Sequence, residues 1–191
     1  MPGFWDLLTP RAENAALGSA VGPQPGDPAP EFELPASDGQ VYRLSTVLKG
    51  GKFVVLAWFP MAFTPVCTLE CRSLGKSAGI IGGFDAALFA ASLDSVERNR
   101  RFAQMLGLDF PVLCDPNRSV AKAYGVAGDR GMCKRWTFFI GSDGKILHID
   151  KQVSLLGHGQ SVAETLARLG APRRTGSGNL STTEGARQGD V

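Results

Sequence analysis

Two cysteines four residues apart, Cys67 and Cys71, stand in the stretch FPMAFTPVCTLEC, residues 59–71, just after the apolar run KFVVLAW. A thiol attacks other atoms only as its thiolate, and a free cysteine is mostly protonated near neutral pH. Two surroundings favour the thiolate: the N-terminus of a helix, with its unpaired N–H groups and partial positive charge, and a nearby arginine. The spacing places Cys67 in the first turn of a helix that begins around Pro65 or Val66. Pro65 suits that start, because its fixed φ fits and its missing N–H costs nothing there. Thr64 then falls near the cap position, where its hydroxyl can face the backbone or a bound oxygen. Phe59 and Phe63 can keep water out. Such an arrangement can hold an ionised Cys67 with a polar two-atom substrate beside it.

The other chemistry-bearing residues offer less. Four cysteines in 191 residues do not make a disulfide framework. Cys67 and Cys71 lack the two-residue gap of common zinc sites, Cys114 and Cys133 are far apart, and neither His148 nor His158 is near a cysteine in sequence, so no metal is expected. Cys114, inside the apolar PVLC, reads as a small buried hydrophobe. The two histidines read as incidental, and RNRR at residues 98–101 as a solvated helix face.

The elements that must position Cys67 follow from periodicity. KFVVLAWF, apolar and β-branched, is bounded by glycines and Pro60 and reads as a fully buried central strand. TLECRSLGKSAGII carries apolar residues at helical spacing. DAALFAASLD is the next strand, and VERNRRFAQMLG a helix with a glycine stop. FPVLCDP is a strand ending in a turn, SVAKAYGV a short helix, and WTFFIGSDGKILHID a hairpin around Ser-Asp-Gly. GQSVAETLARLG is the last helix, with Ser161 as its expected cap and Glu164 three residues on. Upstream, EFELPASDGQVYRLS reads as two short strands and STVLKGG as a turn or single helical turn. Strands alternating with helices imply a mixed, mostly parallel sheet with helices on both faces, an α/β fold whose function sits beyond the carboxyl ends of the central strands. Three segments are expected: a partly irregular extension over 1–25, a folded domain over 26–172, and a polar, disordered tail over 173–191.

Bulk properties exclude several classes. Hydrophobic residues make up 43% and charged residues 20%, a globular balance. A formal net charge of +2 gives no field for nucleic acid or an anionic membrane. No apolar run reaches the length of a membrane span. The opening residues lack the basic and long apolar regions of a secretory signal, so a cytoplasmic location is expected.

PMAFTPVC matches the Pro-x-x-x-Thr-x-x-Cys motif of the peroxiredoxins, the thiol-dependent peroxidases of the alkyl hydroperoxide reductase and thiol-specific antioxidant family. Glu70 matches a glutamate usual three residues after the cysteine. KRWTFFIGSDGKI resembles the segment in which an arginine, here Arg135, precedes a strand and an Asp-Gly hairpin. The similarity runs from about Gly26 to Gly170, and it implies a thioredoxin-like fold. The resemblance further implies that Cys67 attacks the terminal peroxide oxygen, leaving a sulfenic acid. Thr64, Arg135 and backbone N–H groups hold the two oxygens. Pro60 shapes the loop, Glu70 orients an arginine, and no cofactor takes part. The expected partners are a peroxide and a reductant, either a thioredoxin-like protein or a low-molecular-weight thiol, acting on a monomer or homodimer.

Regeneration stays open. Relatives of the bacterioferritin-comigratory type often carry a resolving cysteine on this helix five residues on, whereas Cys71 is four residues on. An i, i+4 pair has Cβ atoms about 5–6 Å apart, and a disulfide needs about 3.5–4.5 Å, so the first turn has to unwind for Cys71 to resolve. Cys133 and an external thiol are the alternatives. Plainer readings also stand. Cys67 can be an inert helix-start cysteine, Thr64 only a cap, Glu70 a first-turn glutamate, and Arg135 a solvated strand-edge charge with Arg130 as its competitor. A thiol–disulfide oxidoreductase of the same fold, or a silent redoxin module that senses or binds, are the rival functions; the first would carry Cys-x-x-Cys.

Overall fold

The computed structural model describes residues 22–128 and 131–174. Most of the 1–25 extension, all but the first two residues of the 173–191 tail, and Arg130 lie outside the described residues.

The long apolar run forms β3 (Phe53–Trp58), and Val54 through Trp58 are buried on both faces. A strand so enclosed has no solvent face to alternate with, which is why its sequence is continuously apolar. It pairs in parallel with β4 (Ala86–Ser92), register Val55↔Leu88, and antiparallel with β6 (Thr137–Ile140), register Leu56↔Phe138. β5 (Val112–Cys114) adds in parallel beyond β4, and β7 (Ile146–Asp150) closes the hairpin with β6. The sheet order is β5-β4-β3-β6-β7. A separate two-stranded antiparallel sheet joins β1 (Glu33–Pro35) to β2 (Val41–Arg43).

Side chains alternate across β3. Val54, Leu56 and Trp58 face one core with Leu44 of α1 (Leu44–Leu48) and Val120 and Ala121 of α4 (Ser119–Ala123). Val55, Ala57 and Phe59 face the other, filled by Cys67, Cys71 and Leu74 of α2 (Pro65–Ile81), Phe102 of α3 (Val96–Leu106) and Leu166 of α5 (His158–Arg168). Helices therefore cover both faces, as the alternation of elements predicts. The glycine stop of α3 is also present: Gly107 caps it in the left-handed region at φ 61°.

Two expectations need correction. The last helix does not start at Ser161; it begins at His158 behind Gly157, which offers no side-chain cap, and the Ser161 N–H already bonds to Gly157 O at 2.9 Å. The reason is tertiary. Gly159 packs so closely on α2 that an added Cβ would stand 2.3 Å from Ser73 O. Ser73 Oγ accepts from the Gly159 N–H at 3.2 Å and donates to Leu156 O at 2.9 Å. That contact, not a local capping box, sets where α5 begins and brings its first residue against α2. The second correction concerns one residue of RNRR: Asn99 is fully buried and bonded to Ser92 Oγ at 3.0 Å, while the three arginines remain largely exposed.

Candidate active site

The chain leaves β3 at Trp58, runs through Phe59–Phe63 and enters α2. Thr64 is the N-cap, extended at φ −81° and ψ 148°, and Pro65 takes the first helical position. The Thr64 hydroxyl oxygen accepts from the Cys67 N–H at 3.4 Å, while the hydroxyl itself donates to Met61 O at 3.1 Å. This places Cys67 in the capped first turn, inside the positive end of a seventeen-residue helix.

The loop in front is clamped from the turn after β4 and from α3. Asp94 Oδ2 accepts from the Ala62 N–H at 2.8 Å, and Arg98 Nη2 donates to Ala62 O at 2.8 Å. Asp94 and Arg98 pair with each other at 3.0 Å. Within this clamp Phe63 adopts φ 67°, a conformation that bulky residues rarely take and that a surrounding scaffold must enforce. Its ring lies between Phe102, centroids 5.3 Å apart, and the Arg98 guanidinium, also 5.3 Å away. Phe59 is buried against Phe102, as a water-excluding wall would be, whereas Phe63 stays partly exposed. Pro60 is half-buried in the loop.

Arg135 arrives from the segment before β6, which is tied to β3 by the Trp58 N–H bonding to Trp136 O at 2.9 Å. Its Nη2 donates to Cys67 Sγ at 3.3 Å. Its Nη1 forms an ion pair with Glu70 Oε2. Glu70 is 1% exposed, so it is neither a solvated first-turn charge nor a free carboxylate. Arg135 is likewise largely buried and is no solvated edge charge. The structure thus brings Thr64, Cys67, Glu70 and Arg135 together.

One member of this cluster is not anticipated by the sequence reading. His158, expected to be incidental, is fully buried; its Nδ1 lies 3.2 Å from Glu70 Oε1 and its Nε2 lies 2.8 Å from Thr137 Oγ1. Burial, assisted by the Arg135 charge and opposed by Asp150, pushes its pKa down to about 4. The imidazole is therefore neutral near pH 7. A carboxylate only accepts, so the ring proton belongs on Nδ1, and Nε2 accepts from the Thr137 hydroxyl. The contacts of Glu70 with Arg135 Nη1 and His158 Nδ1 lack full hydrogen-bond alignment and act as close charge–charge and charge–dipole contacts. No local motif flags His158; its only signal is a histidine at the start of the last helix.

The other thiols differ. Cys71 is wholly buried in the second turn, and desolvation, with the neighbouring Cys67 adding to it, drives its thiol well above the ordinary range. Burial pushes Cys133 up to about 12, and its Sγ donates to Phe59 O at 2.9 Å behind the loop. Cys114 is also raised by burial and accepts from Asn99 Nδ2 at 3.3 Å. All four are free thiols.

Comparison with known proteins points the same way. The model of the AhpC/TSA family matches residues 25–149. Peroxiredoxin Bcp of Escherichia coli is 31% identical over 131 residues, spanning 65% of this chain and 83% of that protein. The crystal structure of peroxidoxin BcpB from Mycobacterium tuberculosis superposes with a TM-score of 0.69 at 33% identity, over 76% of this chain and 97% of that one. Xanthomonas campestris peroxiredoxin Q superposes with a TM-score of 0.67 over 72% of this chain and 90% of that one; at 24% identity it speaks for the fold alone.

Proposed function

Because the chain belongs to the AhpC/TSA family and is a thiol-dependent peroxidase of thioredoxin-like fold, we propose that Cys67 is the thiol that meets the peroxide. The observation that carries this reading is the Arg135 guanidinium 3.3 Å from Cys67 Sγ at the capped first turn of α2.

The reaction balances as follows. The Cys67 thiolate attacks the terminal oxygen of the peroxide, an S–O bond forms and the O–O bond breaks. Sulfur is oxidised to the sulfenic acid, and the departing oxygen takes up a proton to leave as water or an alcohol. Arg135 and the helix start place positive potential beside the sulfur before attack. The same groups then meet charge as it moves onto the leaving oxygen, so little reorganisation accompanies the step. The Thr64 hydroxyl faces the same first turn and supplies a polar partner for a peroxide oxygen. Pro60 and Phe59 shape and dry the approach. Glu70 fixes the guanidinium. No cofactor enters this scheme.

Turnover needs a second thiol. The on-chain candidate is Cys71, whose sulfur can reach Cys67 only if the first turn of α2 unwinds. If that turn stays wound, a thioredoxin-like protein or a low-molecular-weight thiol reduces the sulfenic acid directly. We place the protein in the cytoplasm as a monomer or homodimer; no helix among the described residues is long and apolar enough to cross a membrane. The test is mass spectrometry of wild type, Cys67→Ser and Cys71→Ser after one equivalent of hydrogen peroxide. The reading expects no oxidation of Cys67→Ser and a trapped Cys67 sulfenic acid in Cys71→Ser. Wild-type peroxide consumption by Cys67→Ser overturns it.

A further inference from the structure

From the contacts of the first residue of α5 we infer that His158 is a positioning residue for the peroxidatic centre: it holds the Glu70 carboxylate, and through it the Arg135 guanidinium, against Cys67. The inference rests on Cys67 being the reacting thiol.

Four elements converge on a single buried line. Thr137 on β6 meets His158 Nε2 at 2.8 Å, His158 Nδ1 meets Glu70 Oε1 at 3.2 Å, Glu70 Oε2 pairs with Arg135 Nη1, and Arg135 Nη2 reaches Cys67 Sγ at 3.3 Å. Each carboxylate oxygen thus has its own partner on a different element. Remove His158 and Oε1 is left buried with nothing opposite it, free to rotate toward the guanidinium and draw Arg135 off the sulfur. The charged groups that face His158 are Glu70 from α2, Arg135 from the segment before β6, and Asp150 from β7.

The chemistry of a neutral ring fits this task better than a second cation. A lysine or arginine at this position would compete with Arg135 for the carboxylate and weaken its hold. A neutral imidazole turns an N–H dipole toward Oε1 and leaves the negative charge of Glu70 to Arg135. The N-terminus of α5 lies at the same place and reinforces that orientation. The α2–α5 approach through Gly159 and Ser73 has the matching consequence: it sets His158 directly against Glu70, which stands one turn before Ser73 on the same face of α2.

The test measures the rate of first oxidation by hydrogen peroxide in quenched-flow mass spectrometry of the full chain, with a thermal melt for each variant. His158→Phe is expected to slow oxidation about tenfold, the loss of one oriented polar contact. His158→Asn, whose amide N–H stands where Nδ1 stands, is expected to recover to within about threefold of wild type, whereas His158→Gln, whose amide reaches toward Thr137 instead, stays as slow as His158→Phe. In a Glu70→Gln background, removing His158 is expected to cost less than about twofold further, because the two act on one line. A merely structural histidine would give slowing that tracks the melt, no distinction between Asn and Gln, and effects that multiply with Glu70→Gln. If His158→Phe melts like wild type yet oxidises at the wild-type rate, the inference is wrong; if His158→Phe does not fold, the Asn and Gln pair decides, and equal rates overturn it. Cys67→Ser separates the two levels: wild-type oxidation in that variant removes the site itself, while an inert Cys67→Ser beside a fast, folded His158→Phe removes only the role of His158.

Discussion

The first and second turns of α2 each carry a buried cysteine on the same face, and they could hardly be more alike in exposure: Cys67 is 1% exposed and Cys71 0%. Their surroundings differ in charge. Cys67 stands behind the Thr64 cap with a guanidinium on its sulfur. Cys71, one turn deeper, belongs to the apolar cluster of Leu74, Val162 and Leu166, and desolvation holds its proton in place. Burial alone makes a thiol inert. What distinguishes the first turn is that positive potential arrives there from two directions, the helix start and Arg135, whose guanidinium is held by Glu70. The contrast gives the proposed reactive sulfur and its neighbour on one helix opposite electrostatic surroundings.

The widest test of that contrast exchanges the sulfurs one at a time. Cys67→Ser is expected to abolish peroxide consumption, while Cys71→Ser leaves the rate of the first oxidation unchanged; stopped-flow peroxide consumption reads both. Removing the charge while keeping the bulk, as Arg135→Met, is expected to slow the first oxidation about 10²–10³-fold, the usual loss when one preorganised donor is removed. A protein in which Arg135→Met reacts as fast as wild type would leave the helix start alone to distinguish the two turns.

A smaller effect appears in stability. His158 has a folded-state pKa depressed from 6.5 to about 4. A depressed folded pKa gives stability that is present above the unfolded value and lost as pH falls toward the folded one. Between pH 7 and about pH 4.5 this residue should therefore remove about 2 kcal/mol from folding. Urea unfolding of wild type and His158→Asn at both pH values isolates the share, which should be missing from the variant. The smallest effect concerns the cap: Thr64→Ala should cost about 1 kcal/mol of stability, and it should slow oxidation less than Arg135→Met does, whereas an equal loss in both would assign the cap as large a part as the guanidinium.

Much of this site is legible in the chain because its parts are local. A proline at the first helical position, a threonine before it and a cysteine two residues later define a helix start whatever surrounds them, and the apolar run of β3 announces a central strand. Arg135 is legible only by resemblance, because its place opposite Cys67 depends on β6 pairing antiparallel with β3. His158 is not legible at all. Its contact with Glu70 is created by the close α2–α5 approach at Gly159, and nothing in GHGQSV states that a helix carrying Ser73 will lie there. The same approach defeats the expected cap at Ser161. Arg98 is exposed, as its charge pattern predicts, but its bond to the Ala62 carbonyl of the Phe59–Phe63 loop is one that only the folded chain brings near. Local chemistry can be read from spacing; the residues that aim it come from tertiary contacts.

The most direct test of the central claim is to ask which sulfur receives the oxygen. Reduced protein treated with one equivalent of hydrogen peroxide in the presence of a sulfenic-acid trap should carry the adduct on the peptide containing Cys67, in wild type and in Cys71→Ser alike. An adduct on Cys71, Cys114 or Cys133 with Cys67 still reduced would contradict the account.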